Sequence, residues 1–177
     1  MSAALDRLLA PDYLADIEAR PLEELRGMRA ECQEVETGLS LVRRLVQGHL
    51  DIVTIEVARR ADGGAPGDLT DLLALLPEVL ADRTQSSGVG RLPQQMAPAA
   101  LDPELEAEVA ALVGPGLVLD PSAVDDDKLE ALAGSLEALE ADVSGRRRAI
   151  FERLDAVQAE LTRRYRSGDA SVDSLLS

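Results

Sequence analysis

What this sequence has little of narrows the field before any motif is read. Its 177 residues include one Cys, one His, one Phe, two Tyr and no Trp. A lone cysteine excludes an internal disulfide framework and suits a reducing compartment. A lone histidine beside it leaves no zinc-ligand spacing, and no Ser/His/Asp triad or P-loop is present, so no enzymatic chemistry is expected. Positive charge is also scarce, with 18 Lys and Arg against 33 Asp and Glu, a net charge of −15. That balance argues against direct DNA binding, which needs a basic surface for phosphates. It is compatible with a basic protein partner, although acidity by itself mainly keeps a protein in solution. No apolar run approaches the roughly 18 residues of a membrane span, and the N-terminus lacks a basic stretch followed by an apolar one. The expectation is a cytoplasmic protein without a membrane anchor.

What is abundant is Ala, Leu, Val, Glu and Arg, the composition of long helices and coiled coils. Pro21, with Glu23 and Glu24 just after it, opens a helix expected over 21–62, and the run Ala61-Asp-Gly-Gly-Ala-Pro-Gly closes it. Inside, Leu25, Met28, Cys32, Val35, Leu39, Val42, Val46, His49 and Val53 alternate at spacings of three and four, a coiled-coil seam. A second helix is expected over 126–167, opened by the carboxylates Asp125 to Asp127 and ended at Gly168. Its seam runs Leu129, Leu132, Leu136, Leu139, Val143, Arg146, Ile150, Arg153/Leu154, Val157 and Leu161. Residues 1–20, broken by Pro11, read as a mobile arm, either a fraying terminus that packs loosely or one whose Leu8, Leu9, Tyr13, Leu14 and Ile17 dock on these helices or on a partner. Residues 63–125 read as a connector. Its minor helices fall at 68–84 and from 102 to about 112, where Gly114-Pro115-Gly116 stops the second, and a loop fills 85–100. Residues 168–177 read as a disordered tail.

The first long helix carries Glu36, Ser40, Arg43, Gln47 and Asp51. On a helix these five fall within about 80° of one another and make a polar stripe about 22 Å long. The stripe recurs 104 positions later as Glu140, Ser144, Arg147, Phe151 and Asp155, with Phe standing where Gln would be. With Leu25 and Leu129 as heptad position a, both stripes occupy e, b, e, b and f. In an antiparallel pair the e positions flank one side of the seam, so the stripes merge into one strip with a pseudo-two-fold axis. Layer pairing of Val53 with Leu139, His49 with Val143, Val46 with Arg146, Val42 with Ile150 and Val35 with Val157 agrees to within one residue with a head-to-tail pairing of the stripes. In that pairing Glu36 stands beside Asp155 and Asp51 beside Glu140. The fold class expected is therefore all-α, an antiparallel two-helix coiled-coil hairpin with a long connector. Both halves of the strip lie in one chain, so a monomer is expected to suffice.

The residue types suit guanine. Arg gives a bidentate pair of hydrogen bonds to O6 and N7 and stacks on a base plane. Asp or Glu accepts from the donors on the opposite edge, and Arg and Ser serve phosphate. A two-fold guanine dinucleotide satisfies the set. Without it, the arginines of the strip are expected to repel one another.

The pattern Glu-x3-Ser-x2-Arg-x3-Gln-x3-Asp resembles the cyclic di-GMP signature of the RsiG type of anti-sigma factor, whose partner is the sporulation sigma factor WhiG. The first window, Glu36 to Asp51, matches at all five positions, and the second, Glu140 to Asp155, departs only at Phe151. The resemblance implies an antiparallel coiled coil that binds an intercalated cyclic di-GMP dimer and, once loaded, sequesters a WhiG-like sigma factor. It implies ligand contacts at Glu36, Ser40, Arg43, Gln47, Asp51, Glu140, Ser144, Arg147 and Asp155, with Phe151 stacking on a base.

Plainer readings stand beside these. Charged e and b positions make salt bridges in ordinary coiled coils, so the other function class is a structural scaffold without a nucleotide. His49 reads as a tucked seam residue and Cys32 as a small apolar one. Arg146, at a core position, either reaches a phosphate in the strip or pairs with a surface carboxylate.

Overall fold

In the computed structural model the two expected seams meet. The structure describes residues 3–64, 103–119 and 124–167, and among these all regular structure is helical. In chain order the elements are α1 (Ala3–Leu9), a single 3-10 turn (Ile17–Ala19), α2 (Leu22–Ala61), α3 (Pro103–Leu119) and α4 (Asp126–Ser167). At 40 and 42 residues, α2 and α4 are each about 60 Å long and pack on one another along their length. The connector helix expected at 68–84, the loop at 85–100 and the tail at 168–177 lie outside the described residues.

The ends of the hairpin follow from local chemistry. Pro21, the expected first helical residue, instead takes the N-cap, and α2 begins one position later at Leu22. Gly63, at φ 86°, turns the chain out of α2, and the Gly63 and Gly64 amides donate to the Arg60 and Arg59 carbonyls. This is a Schellman stop, and a side chain at Gly64 would meet the Arg59 carbonyl at 2.8 Å. Asp125 caps α4, its carboxylate accepting from the Lys128 amide at 3.1 Å. In α3 the expected stop at Gly114 is present as a break, with φ 56° inside an otherwise helical run.

The core is the seam. Leu25, Met28, Cys32, Leu39, Val42, Val46 and Val53 of α2 are buried, as are Leu129, Leu136, Leu139, Val143, Ile150, Val157 and Leu161 of α4. Each fully buried aliphatic side chain contributes about 1.5–3 kcal/mol, which holds the hairpin together without aromatics. His49 is half-buried rather than fully tucked, and burial lowers its pKa from the ordinary 6.5.

The segment expected as a mobile arm is docked on the protein's own helices. Leu5, Leu8 and Tyr13 are buried, and the Tyr13 hydroxyl lies 3.7 Å from Cys32 Sγ. Three arginines hold its main chain. Arg153 donates to the Leu8 and Leu9 carbonyls, the free acceptors at the end of α1. Arg20 donates to those of Tyr13 and Ala15, and Arg164 to those of Ile17 and Glu18. Apolar contacts and carbonyl capture together explain why the arm is fixed in place.

The 104-residue repeat extends well past the polar stripes. Leu8-Leu9-Ala10-Pro11 of the α1 region corresponds to Leu112-Val113-Gly114-Pro115 of α3. Glu56, Arg59 and Arg60 correspond to Glu160, Arg163 and Arg164. In both clusters a buried glutamate is gripped bidentately by the first arginine at 2.7–2.9 Å and by Nε of the second at 2.7 Å. The second arginine then reaches the chain just ahead of the other long helix. Arg60 donates to the Val124 carbonyl and Asp126, and Arg164 to the Ile17 and Glu18 carbonyls. Each cluster thus fastens one end of the hairpin.

Candidate functional site

The e and b positions of α2 and α4 come together as one strip. Arg43 Nε donates to Glu140 Oε1 at 3.0 Å and to Ser144 Oγ at 2.9 Å. Across the pseudo-two-fold axis, Arg147 Nε donates to Glu36 Oε1 at 2.8 Å and to Ser40 Oγ at 2.7 Å. Each serine also donates to the glutamate one turn before it, at 2.6 Å for Ser40 and 3.1 Å for Ser144. Two copies of one unit result, with the arginine supplied by one helix and the Glu/Ser pair by the other.

These partners correct the head-to-tail pairing expected from the layers. That pairing sets Glu36 beside Asp155 and Asp51 beside Glu140, carboxylate against carboxylate. Instead, Glu140 meets Arg43 and Gln47, and Glu36 meets Arg147. Coulomb attraction between unlike charges favours this arrangement over the repulsive one. Each guanidinium already faces a carboxylate, which offsets the repulsion expected between unfilled arginines.

Only Nε of each guanidinium is used in this way. Among the described residues no acceptor engages Nη1 or Nη2 of Arg43 or Arg147. The side chains of Arg43 and Arg147 are 34% and 33% exposed, so both terminal forks are accessible. Their glutamate partners are more covered, at 23% for Glu140 and 18% for Glu36. The arrangement offers two fixed bidentate donors, set by acidic groups beneath them.

The fourth motif position breaks the symmetry. Gln47 Nε2 donates to Glu140 Oε1 at 2.9 Å. Phe151, its counterpart, donates nothing to Glu36 and instead lies under Arg147, whose Cζ is 4.7 Å from the ring centroid. That is a cation–π contact. One turn further on, Asp51 is half-buried and Asp155 exposed. The residues drawn together are therefore Glu36, Ser40, Arg43, Gln47, Glu140, Ser144, Arg147 and Phe151, while Asp155 stands outside the hydrogen-bonded group.

Arg146 does not enter this group. It pairs with Asp142 at 2.6 Å on its own helix, the surface-carboxylate alternative. Asp142 is a g position, so Arg146 leans to the side of the seam away from the strip. The stripe also runs further than the five-residue windows. Arg26, a b position, donates to the Tyr165 hydroxyl at 2.7 Å, and Arg29, an e position, donates to Gln158 Oε1 at 3.5 Å. The heptad letters already place these four on the strip face. The motif spacing alone does not include them.

The comparison with known families agrees with this geometry. The RsiG-like family matches the chain over residues 11–85 and 118–177, which takes in both stripes, both end clusters and the part of the docked arm that follows α1. No curated protein matches it. No helix among the described residues is long and apolar enough to cross a membrane. Two equivalent arginine units on an antiparallel helical pair, inside a match that covers most of the sequence, identify the chain as a member of the RsiG-like family.

Proposed function

We propose that the strip binds cyclic di-GMP and that the loaded protein sequesters a WhiG-like sigma factor. Family membership points to an anti-sigma role in general. The observation that carries the finer reading is the pair of free guanidinium forks. Arg43 and Arg147 are each held at Nε by a glutamate and a serine of the opposite helix, with Nη1 and Nη2 left over. A fork so fixed is preorganised for guanine O6 and N7 or for a phosphate, because the protein has already ordered the side chain.

In this reading Glu36 and Glu140 are positioning residues that keep each fork aimed outward. Asp51 and Asp155, one turn along, accept from the N1 and N2 donors of guanine. Ser40 and Ser144 relay the hold on Nε. A ligand with two-fold symmetry matches a site with two equivalent units, and an intercalated dimer of the dinucleotide supplies that symmetry. The site lies within one chain, so a monomer binds.

The nucleotide then becomes part of the surface that meets the sigma factor. Linkage requires that whatever factor the nucleotide adds to sigma affinity, the sigma factor adds to nucleotide affinity. The test is calorimetric titration of cyclic di-GMP into the protein with and without a WhiG-like sigma factor. Tighter binding in its presence is expected, and equal affinities would uncouple the nucleotide from sequestration.

A second reading rests on the same bonds. Arg43–Glu140 and Arg147–Glu36 are themselves cross-helix ion pairs, as a structural coiled coil uses. Absence of any heat on titrating wild-type protein with cyclic di-GMP would favour it.

A further inference from the structure

The two ends of the strip differ in charge. Beyond Arg147, toward the start of α2, the e and b positions carry Arg29 and Arg26 from α2, with Gln158 and Tyr165 from α4. The residues 104 positions after Arg26 and Arg29, at the far end of the strip, are Glu130 and Ala133, and Glu137 stands between them and the stripe. One end is basic and the other acidic.

Arg29 is also poorly satisfied where it stands. Its one bond, to Gln158, is at the long limit for a hydrogen bond. Its Nε is buried and has no partner among the described residues. A buried N–H on a cation that lacks an acceptor is costly, and the cost is removed when an acceptor arrives. Among the described residues the other such side-chain nitrogen is Nη1 of Arg146, which leans away from the strip. Arg29 therefore combines a strip-facing position with an unfilled donor. It stands two turns before Glu36, about 10 Å along the helix, and Glu36 is the partner of Arg147.

We infer that Arg29 is an additional phosphate-binding residue of the strip, so that the intercalated dimer of dianionic cyclic dinucleotides binds with its charge held by a further cation at the Arg147 end and not at the Arg43 end. This rests on the nucleotide reading above. Phosphate oxygens are the acceptors that best match a guanidinium with an unfilled nitrogen, and neither Glu130 nor Ala133 offers a donor at the opposite end.

The experiment is calorimetric titration of cyclic di-GMP into the full chain at several ionic strengths, for wild type, Arg29→Ala, Arg29→Lys and Ala133→Arg. Arg29→Ala is expected to weaken binding about tenfold, as for loss of a charge-assisted hydrogen bond, and to flatten its salt dependence. Arg29→Lys should keep the salt dependence while losing part of the affinity, because a point charge replaces the fork. Ala133→Arg should tighten binding and steepen the salt dependence. Wild-type affinity and salt dependence in Arg29→Ala would overturn the inference while leaving the strip as the site. No binding by wild type would instead overturn the reading on which it rests.

Discussion

The unit built on Arg43 and the unit built on Arg147 share three residue types and differ at the fourth. Around Arg43, the glutamate that holds it also receives an amide from Gln47. Around Arg147, the glutamate has no such amide, and the arginine rests on the Phe151 ring instead. In the first unit the carboxylate is stabilised and in the second the cation is. Two solutions to one problem, fixing a guanidinium fork, thus occupy related places on the same hairpin. The lesson is that the arginine's orientation, more than the identity of every neighbour, is what the repeat preserves.

The end clusters sharpen the comparison with the largest effects. Glu56 is 1% exposed, with Arg59 and Arg60 at 8% and 9%. Glu56→Ala removes the buried carboxylate that Arg59 and Arg60 share, while Arg60 keeps Asp126, and should cost about 1–3 kcal/mol of stability, read from denaturant unfolding. Glu160→Ala should cost less, because Arg163 is 54% exposed and remains hydrated. The bond from Arg163, then that from Arg164, lowers the Glu160 pKa from 4.5 to about 2. A depressed carboxylate contributes stability that is present above pH 4.5 and lost as pH falls toward 2. An acid titration of wild type against Glu160→Gln should show that part of the loss missing in the variant.

At the strip itself, Arg43→Ala and Arg147→Ala should each weaken cyclic di-GMP binding by about 1–3 kcal/mol, roughly 5- to 150-fold. Wild-type affinity in both variants would end the nucleotide reading. Phe151→Gln is a smaller change that tests the difference directly. It removes a cation–π contact of about 0.5–1 kcal/mol and restores an amide for Glu36. In that background the two arginine variants should become equal in their effect on binding, and a persisting inequality would place its cause elsewhere than Phe151. Smallest is Gly48→Ala. Open space surrounds a side chain there, so the substitution should stabilise α2 by up to about 1 kcal/mol without altering ligand affinity.

Much of this molecule was legible in its sequence, and the parts that were not have specific reasons. The bounds of α2 and α4 follow from Pro21, Gly63, Asp125 and the seam spacing, and they fall within a residue of expectation. The stripes fall on one face because heptad letters fix faces. The partners within the strip do not follow from the layers, because layer matching weighs apolar positions and is blind to the sign of charge. Glu56 and Glu160 repeat at the same 104-residue distance as the stripes, yet a charge at a core position reads as an interruption of the seam. Only the two arginines that follow each one reveal why it is tolerated. Docking of residues 3–20 on the long helices is one of the alternatives that their apolar residues leave open, and what decides it, arginines that bind main-chain carbonyls, has no sequence signature because a carbonyl carries none.

The clusters at the two ends have a mechanical consequence. Arg60 pins the far end of α2 to the start of α4, and Arg164 pins the far end of α4 to the chain entering α2. The hairpin is in effect a pair of beams riveted at both ends and joined by lighter ties in the middle. A load applied at Arg43 and Arg147 is then expected to bow the beams apart at mid-span, where deflection is easiest. Sliding one helix along the other would require shearing a rivet.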